Sequence, residues 1–283
     1  MKPAPFAYAK ARSLDHAIEL LSEDAARVLA GGQSLIPVLN MRLDAPKLLV
    51  DINGLEGLDR IELVGDELRV GALVRHAEAL RSPLIAQHAP LIAAALPYVG
   101  HAAIRNRGTI GGSIALADPA AELPACLLAL GGSVEISGRG GSRTVPADAF
   151  FRGLFETAVG PGEVLTAVRV PVAKGGATFG FQELSRRHGD YALVGLAAAT
   201  TGTNGSGRPR LVFFGVGPTP VRATGAEQAL SARNFPDAID DAVAAIATDL
   251  DPGDDIHGSG AVRKHLAGVL LRRVLQNWTE ARA

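Results

Sequence analysis

This sequence has few of the residues and motifs that usually indicate a protein's chemistry, and cysteine is the first example. The 283 residues include one, Cys126, so the chain forms no internal disulfide and no cysteine-ligated zinc or iron–sulfur site of its own. Cys126 lies in an apolar stretch, and we predict that it is a small buried residue. So few cysteines are typical of the reducing cytoplasm, where we expect this protein to work.

Excess charge and long apolar runs are missing as well. Lys and Arg number 28 and Asp and Glu 29, so the net charge is -1 and no overall field attracts nucleic acid or an anionic membrane. No stretch approaches the roughly 18 apolar residues of a membrane helix, and the N-terminus has no apolar core of signal-peptide length. Aromatic residues make up 5% of the chain, so the core is predicted to consist mainly of Ala, Val, Leu and Ile.

The motifs of the common catalytic machineries are also absent from the sequence. It has no G-x-x-x-x-G-K-[ST] phosphate loop, no G-x-G-x-x-G after a strand and no G-x-S-x-G elbow. Its seven histidines are scattered, and none are paired at metal-ligand spacing. We therefore predict no catalytic acid, base or nucleophile and no metal site, and infer that a bound cofactor supplies the reactivity.

The order of predicted elements divides the chain near Lys174-Gly175-Gly176. Before it, strands and helices alternate irregularly. Ser13 is predicted to cap a helix, and hairpins are predicted at 61–71, across a Gly65-Asp66 turn, and at 133–146. Residues 100–119 are predicted to form a long irregular segment, of a kind that is usually functional. After it, strands precede helices, which indicates an α+β fold and not a doubly wound sheet. The strands are predicted at 177–184, 191–201 and 211–216, a flexible connection at 203–207, and the helices at 223–231, 237–248 and 261–278.

Two glycine-rich stretches stand where a catalytic motif is missing: glycine loop 1 (residues 30–35) and glycine loop 2 (residues 105–113). Paired glycines let the backbone approach a ligand closely, and exposed backbone N–H groups in such turns form anion-binding concavities. Each loop also has a serine hydroxyl. We predict that they hold a pyrophosphate, the alternative for either loop being an ordinary tight turn. The predicted binding residues are Ala30, Gly31, Gly32, Gln33, Ser34, Leu35, Thr109, Ile110, Gly111, Gly112 and Ser113.

The two loops belong to a series of blocks that resembles the FAD-binding medium subunits of molybdenum hydroxylases, the xanthine dehydrogenase and carbon-monoxide dehydrogenase group. The resemblance runs nearly end to end, with the blocks in the family's order. They are AGGQSLIP at 30–37, IRNRGTIGGS at 104–113, ADPAAELP at 117–124, GEVLTAVRVP at 162–171 and RRHGDYA at 186–192.

The resemblance implies a fold and names the ligand as FAD. The fold is α+β, with an FAD-binding domain of the vanillyl-alcohol-oxidase (PCMH) type, made of two subdomains, at residues 1–174. A small C-terminal domain at residues 175–283 is expected to carry a three-stranded antiparallel sheet and helices.

The resemblance also implies roles for four further residues. Asp118 and Glu122 stand where the family contacts ribityl and ribose hydroxyls, a role suited to carboxylates because they accept hydrogen bonds. In the family, the position of Leu165 contacts the adenine or the ring region, and the position of Tyr191 lies beside the isoalloxazine. The alternatives are an Asx cap for Asp118, a first-turn helix charge for Glu122, and core strand positions for Leu165 and Tyr191.

The function implied is electron transfer within a larger complex. A large partner subunit would hold the molybdenum cofactor, and a small partner would pass electrons through 2Fe-2S clusters to FAD in this chain and then to an external acceptor. The expected assembly is a dimer of heterotrimers. Two alternatives stay open, a self-contained flavin oxidoreductase of the same fold and a cofactor-free binding module.

Overall fold

The computed structural model describes residues 2–200, 208–232 and 238–280. The predicted connection at 203–207 and the predicted helix start at 237 lie outside the described residues. No helix in these three ranges is long and apolar enough to cross a bilayer. The strand and helix content confirms the α+β class.

The first sheet is parallel and carries glycine loop 1 at its carboxyl edge. Its strands lie in the order β1-β3-β2. They are β1 (Ala7–Lys10), β2 (Ala26–Leu29) and β3 (Leu48–Asp51). The connecting helices are α1 (Leu14–Leu20), which begins after the predicted N-cap Ser13, and α2 (Leu35–Asn40), which begins at the end of glycine loop 1. Because the strands are parallel, the residues that follow β2 and β3 meet at one edge of the sheet.

The second sheet is antiparallel and forms the floor under glycine loop 2. Its strands lie in the order β4-β5-β10-β6-β7, and a small separate hairpin pairs β8 with β9. The strands are β4 (Ile61–Val64), β5 (Glu67–Gly71), β6 (Ser133–Gly138), β7 (Gly141–Pro146), β8 (Phe151–Gly153), β9 (Glu156–Thr157) and β10 (Val164–Pro171). Gly65 takes a φ of +61° in the two-residue turn of the β4–β5 hairpin, as the sequence predicts.

Six short helices lie between β5 and β6 in the chain. They are α3 (His76–Arg81), α4 (Pro83–His88), α5 (Pro90–Ala95), α6 (Ala102–Arg105), α7 (Ile110–Leu116) and α8 (Glu122–Ala129). The prediction that residues 100–119 are irregular is wrong, because α6 and α7 both lie there. The glycines in the first turn of α7 hide its helical pattern, since glycine is a poor helix former. Thr109 caps α7, and Ala117, with a φ of +52°, ends it.

The C-terminal region begins with a sheet and ends with helices, as predicted. Its antiparallel strands are β11 (Phe179–Ser185), β12 (Ala192–Thr200), β13 (Pro209–Phe214) and β14 (Val221–Arg222). The three predicted strands are present, and the two-residue β14 makes the sheet four-stranded. The helices are α9 (Thr224–Ala232), α10 (Ile239–Asp249) and α11 (Gly260–Glu280).

Both faces of the C-terminal sheet are buried, and each face belongs to a different core. Side chains that alternate along a strand point to opposite faces. Leu196, Ala198, Leu211 and Phe213 pack in the core with α9, α10 and α11, whereas Ala197, Ala199, Val212 and Phe214 join the core of the N-terminal region. This sharing fixes the two regions against each other. Pro119 O accepts from the N–H of Gly215 at 2.8 Å, and Gly215 lies beside the start of β12.

Candidate functional site

Glycine loop 1 leaves its backbone donors open. None of the N–H groups of residues 30–35 donates a hydrogen bond to any other part of the chain that the structure describes. Gly32 takes a φ of +71°, which L side chains rarely adopt, and so turns the chain between β2 and α2. Gln33 donates through Nε2 to the carbonyl of Gly31 at 3.2 Å. The result is a run of unpaired N–H groups with a free Ser34 hydroxyl, which suits an anion.

Glycine loop 2 has used most of its backbone donors inside the protein. The N–H of Ile110 donates to Val74 O at 2.9 Å and that of Gly111 to Ala72 O at 3.0 Å. The N–H of Gly112 donates to Thr109 Oγ1 at 3.0 Å. The prediction of exposed N–H groups is therefore wrong for these residues, because the loop is tied to the end of β5 and to its own cap. What it still offers is hydroxyl groups, chiefly the half-buried Ser113.

The structure brings the two glycine loops into contact. A Cβ added to Gly31 would stand 2.5 Å from Arg107 O and 2.8 Å from the Gly108 Cα, so glycine is required for the loops to touch. Asn53, two residues after β3, donates through Nδ2 to Ala30 O at 2.8 Å. Its Oδ1 accepts from the Arg75 guanidinium at 2.7 Å, and Arg75 also donates to Arg107 O.

Asn53 and Arg75 were not found by sequence reasoning, although they join the loops. The signal for Asn53 is its place after a strand of the parallel sheet, at the edge where glycine loop 1 emerges. Arg75 has no comparable local signal. Arg105, which looks like part of a basic flank, is structural, because its guanidinium donates to Gly100 O at 2.7 Å and to two further carbonyls of the same turn.

A buried imidazole lies beneath glycine loop 2. His76 is 5% exposed, and neither ring nitrogen has a hydrogen-bond partner among the described residues. Its backbone N–H donates to Gly108 O at 3.0 Å, and its ring leaves no room for a side chain at Gly108. Burial, with a smaller contribution from Arg105 and Arg75, lowers the pKa of His76 to about 4, so the ring is neutral near pH 7.

Asp118 and Glu122 lie past the far end of α7. One Asp118 oxygen accepts from the N–H of Ala120 at 2.9 Å and so forms an Asx turn, while its other oxygen stays available. Glu122 is the first residue of α8. Burial raises the pKa of both carboxyls, and the charge of Asp118 helps to raise that of Glu122 to about 7.

Tyr191 reaches the same place from the C-terminal region. Its ring is 68% exposed and precedes β12, so it is not a core strand residue. Partial desolvation, followed by the charges of Asp118, Glu122 and Asp190, raises the pKa of Tyr191. The N–H of Gly215 donates to Pro119 O at 2.8 Å, which joins the two regions here.

Leu165 stands apart from the other predicted residues. It lies on β10, is 6% exposed and packs in the N-terminal core. A bulge interrupts the strand between Leu165 and Ala167. There the N–H of Ala72 donates to Thr166 O at 2.9 Å, and Ala72 O in turn accepts from the N–H of Gly111. The structure therefore places Leu165 behind glycine loop 2, in a core position.

The described residues thus form a two-ended site. One end offers open N–H groups and hydroxyls, and the other offers carboxyls and an exposed phenol. Between them α7 has seven residues, a length of about 10 Å at 1.5 Å per residue. Within the described ranges, no group of three or more His, Cys, Asp or Glu side chains is arranged to hold a metal ion. The arrangement fits a long ligand with a phosphate part and a hydroxylated part.

Comparisons with known proteins identify the family of both regions of the chain. The family model described as the FAD binding domain in molybdopterin dehydrogenase matches residues 4–173, and that of the CO dehydrogenase flavoprotein C-terminal domain matches residues 179–278. The chain is 41% identical over 281 residues to the 6-hydroxypseudooxynicotine dehydrogenase complex subunit alpha of Paenarthrobacter nicotinovorans, covering 97% of this chain and 95% of that protein. It is 39% identical over 278 residues to the nicotine 6-hydroxylase medium subunit of the same organism, covering 97% and 98%.

The fold agrees equally well with a solved structure. Carbon monoxide dehydrogenase from Hydrogenophaga pseudoflava, in a form that lacks the Mo-pyranopterin moiety of its cofactor, superposes with a TM-score of 0.93 at 34% identity, over 98% of both chains. The FAD-binding domain is thus of the PCMH type that the resemblance implied. With two family models covering most of its length, the chain belongs to the family of FAD-binding medium subunits of molybdenum hydroxylases.

Proposed function

We propose that this chain passes electrons from a 2Fe-2S partner subunit, through its FAD, to an external acceptor. The partners are a small iron–sulfur subunit and a large molybdenum-cofactor subunit, assembled as a dimer of heterotrimers in the cytoplasm. The names of the relatives support this, since one is a subunit of a dehydrogenase complex and another a medium subunit. Bound FAD supplies the redox chemistry, which the side chains of the site do not.

The unpaired N–H groups of glycine loop 1 are the observation that supports this proposal most directly. Buried or half-buried backbone donors are nearly always paired, so a run of them without acceptors indicates a ligand. A pyrophosphate offers the acceptors they lack. We assign Ala30, Gly31, Gly32, Gln33, Ser34 and Leu35 to this first contact.

Glycine loop 2 makes the second contact in a different way. We assign this contact to Thr109, Ile110, Gly111, Gly112 and Ser113, with the Ser113 and Thr109 hydroxyls as donors and the buried Ile110 and Gly111 holding the loop in place. At the other end, Asp118 and Glu122 accept from ribityl and ribose hydroxyls and Tyr191 covers the isoalloxazine. Leu165 supports the adenine or ring region from the core. We also propose that the chain forms two domains, at residues 1–174 and 175–283.

The test uses two glycines with the same backbone requirement. Gly32 and Gly57 have φ of +71° and +78°, so alanine strains either backbone by roughly 1–2 kcal/mol. Only Gly32 lies in the proposed cradle. Titration of the purified apo-chain with FAD, followed by flavin fluorescence, is expected to show at least a tenfold weaker affinity for Gly32→Ala and wild-type affinity for Gly57→Ala. Equal affinities in the two variants would overturn the cradle assignment.

The electron-transfer role needs the partners. When the chain is purified together with its partner subunits, iron and molybdenum are expected to co-purify. Addition of the complex's substrate should then bleach the flavin absorbance. A chain that purifies alone with FAD and oxidises a substrate by itself would support the self-contained oxidoreductase instead. A chain that takes up no FAD would leave only the cofactor-free binding module.

A further inference from the structure

Arg263 is a buried arginine in the first turn of α11, with 8% of its surface exposed. Its Nη1 donates to Gly215 O at 2.7 Å and to Leu193 O at 3.0 Å, and its Nη2 donates to Asp255 Oδ2 at 2.6 Å. One side chain therefore joins the last helix to two strands of the C-terminal sheet and to the loop before that helix. Arginine suits this place because its planar guanidinium directs several donors at once in a fixed geometry.

The two carbonyls belong to an irregular end of the C-terminal sheet. The pairing of β12 with β13 does not extend to Leu193 or Gly215. On the other side of β12, the register with β11 shifts between Leu184 and Ser185, so that Leu193 has no residue opposite it. Bulges of this kind bend a strand and redirect the side chains beside them. Tyr191 stands two residues before this bulge, so the direction in which its ring projects depends on how the bulge is held.

Gly215 connects the same point to the N-terminal region. It takes a φ of +75°, and a Cβ there would stand 3.0 Å from two carbonyl oxygens at the start of β12, so glycine permits this close approach. Its carbonyl accepts from Arg263, while its N–H donates to Pro119 O at 2.8 Å. Pro119 lies in the segment 118–122, which carries both carboxyls of the candidate site. A single residue therefore links the guanidinium to that segment.

The charge of Arg263 is balanced by Asp255. The Oδ1 atom of this carboxylate accepts from the N–H of His257 at 2.8 Å and from that of Gly258 at 3.2 Å, which fixes its orientation. The hydrogen bond from His257 is the main cause of the lowered pKa of Asp255, and Arg263 lowers this pKa further against partial desolvation. The carboxylate is thus ionised near pH 7, and both Nη atoms of the guanidinium are held by acceptors.

We propose that Arg263 is a positioning residue for the end of the site that offers the carboxyls and the phenol, here called the flavin end. It holds the bulge beside Tyr191 and, through Gly215, the segment 118–122. The phenol and the carboxyls come from different regions of the chain, and the hydrogen-bonded path from Arg263 through Gly215 to Pro119 keeps their separation fixed. Arg263 acts through these residues and not by contact with the ligand. This inference rests on the proposed function for the identity of the ligand, but not for the existence of the path.

Arg210 provides a matched control on the same sheet. It is a half-buried arginine at the start of β13, and its Nη2 donates to both oxygens of Asp148 in the N-terminal region, each at 2.9 Å. That contact also joins the two regions, but it involves neither Tyr191 nor the segment 118–122. Arg263→Lys and Arg210→Lys each keep the positive charge and replace the planar fork by a compact ammonium. Circular dichroism of each variant shows that it is folded.

The path is tested first by hydrogen–deuterium exchange of the apo-chain, followed by mass spectrometry. In Arg263→Lys, amide exchange in the segments 118–122, 191–195 and 214–216 is expected to be about tenfold faster or more, because the ammonium does not hold both carbonyls. In Arg210→Lys these segments should exchange as in the wild type, while exchange around residue 148 increases. Unchanged exchange in Arg263→Lys, or equal acceleration by the two variants, would overturn the path.

A milder variant keeps the test decisive if Arg263→Lys does not fold. Asp255→Asn removes the charge that holds the guanidinium and leaves both carbonyls untouched. It should accelerate exchange in the same three segments, by less than the lysine variant. Wild-type exchange in Asp255→Asn would in that case overturn the proposal.

A second measurement separates positioning of the ligand from stability of the fold. In the FAD-loaded chain, Arg263→Lys is expected to change the visible circular dichroism of the flavin and to weaken FAD binding about fivefold or more, because the flavin end is no longer preorganised. Arg210→Lys should do neither at a temperature where both variants are folded. Faster exchange with a wild-type spectrum and affinity would overturn the assignment to the flavin end. If the wild-type chain binds no FAD, the proposed function fails, while the exchange experiment still decides whether the path exists.

Discussion

The two glycine loops look alike in the sequence and are used in opposite ways in the structure. In glycine loop 1 the N–H groups are open, and Gly32 supplies a left-handed turn. In glycine loop 2 the N–H groups of Ile110, Gly111 and Gly112 are engaged within the protein. A pair of glycines therefore indicates that the backbone comes close to something, but not whether that is a ligand or another strand.

The strongest test of this difference is Gly111→Ala, in which we expect a structural failure. The added Cβ would stand 2.5 Å from the Ala72 Cβ and 2.6 Å from its Cα, and this strand end has no room to retreat. Overpacking of this kind is expected to lower the free energy of unfolding by about 3 kcal/mol, which urea denaturation of the apo-chain will measure. Gly140→Ala, where a Cβ meets nothing within 4 Å, is the control and should change little. A fully stable Gly111→Ala would show that loop 2 is not held by this packing.

The buried imidazole beneath glycine loop 2 predicts a pH dependence of stability. His76 has a pKa of about 4 when folded and about 6.5 when unfolded, so the unfolded chain takes up the proton first as the pH falls. The free energy of unfolding should therefore decrease from about pH 6.5 to about pH 4, by about 3 kcal/mol in total.

Replacement of the imidazole separates its contribution from other acid effects. His76→Leu removes the titrating group, and because neither ring nitrogen has a partner in the described ranges, it should be tolerated at pH 7. Denaturation at several pH values should give a shallower acid loss for this variant than for the wild type. An unchanged slope would show that other groups cause the acid sensitivity.

A smaller effect is expected from the hydroxyl that glycine loop 2 still offers. Ser113→Ala should weaken FAD binding about tenfold, since a hydrogen bond to a charged group contributes about 1.5–3 kcal/mol. The stability of the apo-chain should not change, because Ser113 Oγ has no partner within the described residues. Calorimetric titration with FAD measures the first quantity and thermal unfolding the second. Unaltered affinity would assign the whole pyrophosphate contact to loop 1.

The smallest effect concerns the cap of α7. Thr109→Val keeps the size of the side chain but removes the oxygen that accepts from Gly112, which should cost about 1 kcal/mol of stability. Thr109→Ser retains the oxygen and serves as the matched variant. Thermal unfolding of the pair should show a lower transition only for valine, and equal transitions would mean that the cap contributes nothing measurable.

Much of the fold could be predicted because its signals are local. The Ser13 cap, the turn at Gly65 and the three long strands of the C-terminal sheet all depend on neighbouring residues. The exceptions have physical causes. Glycines disguise the first turn of α7, and β14 is too short to show a period.

The candidate site likewise has some features that are local in the sequence and others that depend on long-range packing. Glycine loop 1 is visible in the sequence because its two glycines and its hydroxyl lie within four residues, 31–34. Asn53 and Arg75 act across long sequence separations, so their roles follow only from the packing. The same holds for Arg105, whose charge suggests a ligand but whose partners are backbone carbonyls.

Strands β12 and β13 separate the two cores, and this arrangement limits how regions of different family members can be combined into chimeras. Alternate residues of one strand, such as Leu196 and Ala197, belong to different cores. A C-terminal region grafted from a relative would therefore bring its own small side chains into a core shaped for Ala197 and Ala199. We expect a chimera to fold only when the residues of β12 and β13 that face the N-terminal core come from the same protein as the N-terminal region. The residues on the opposite face should come from the protein that supplies the C-terminal helices. This sheet is therefore the junction to redesign.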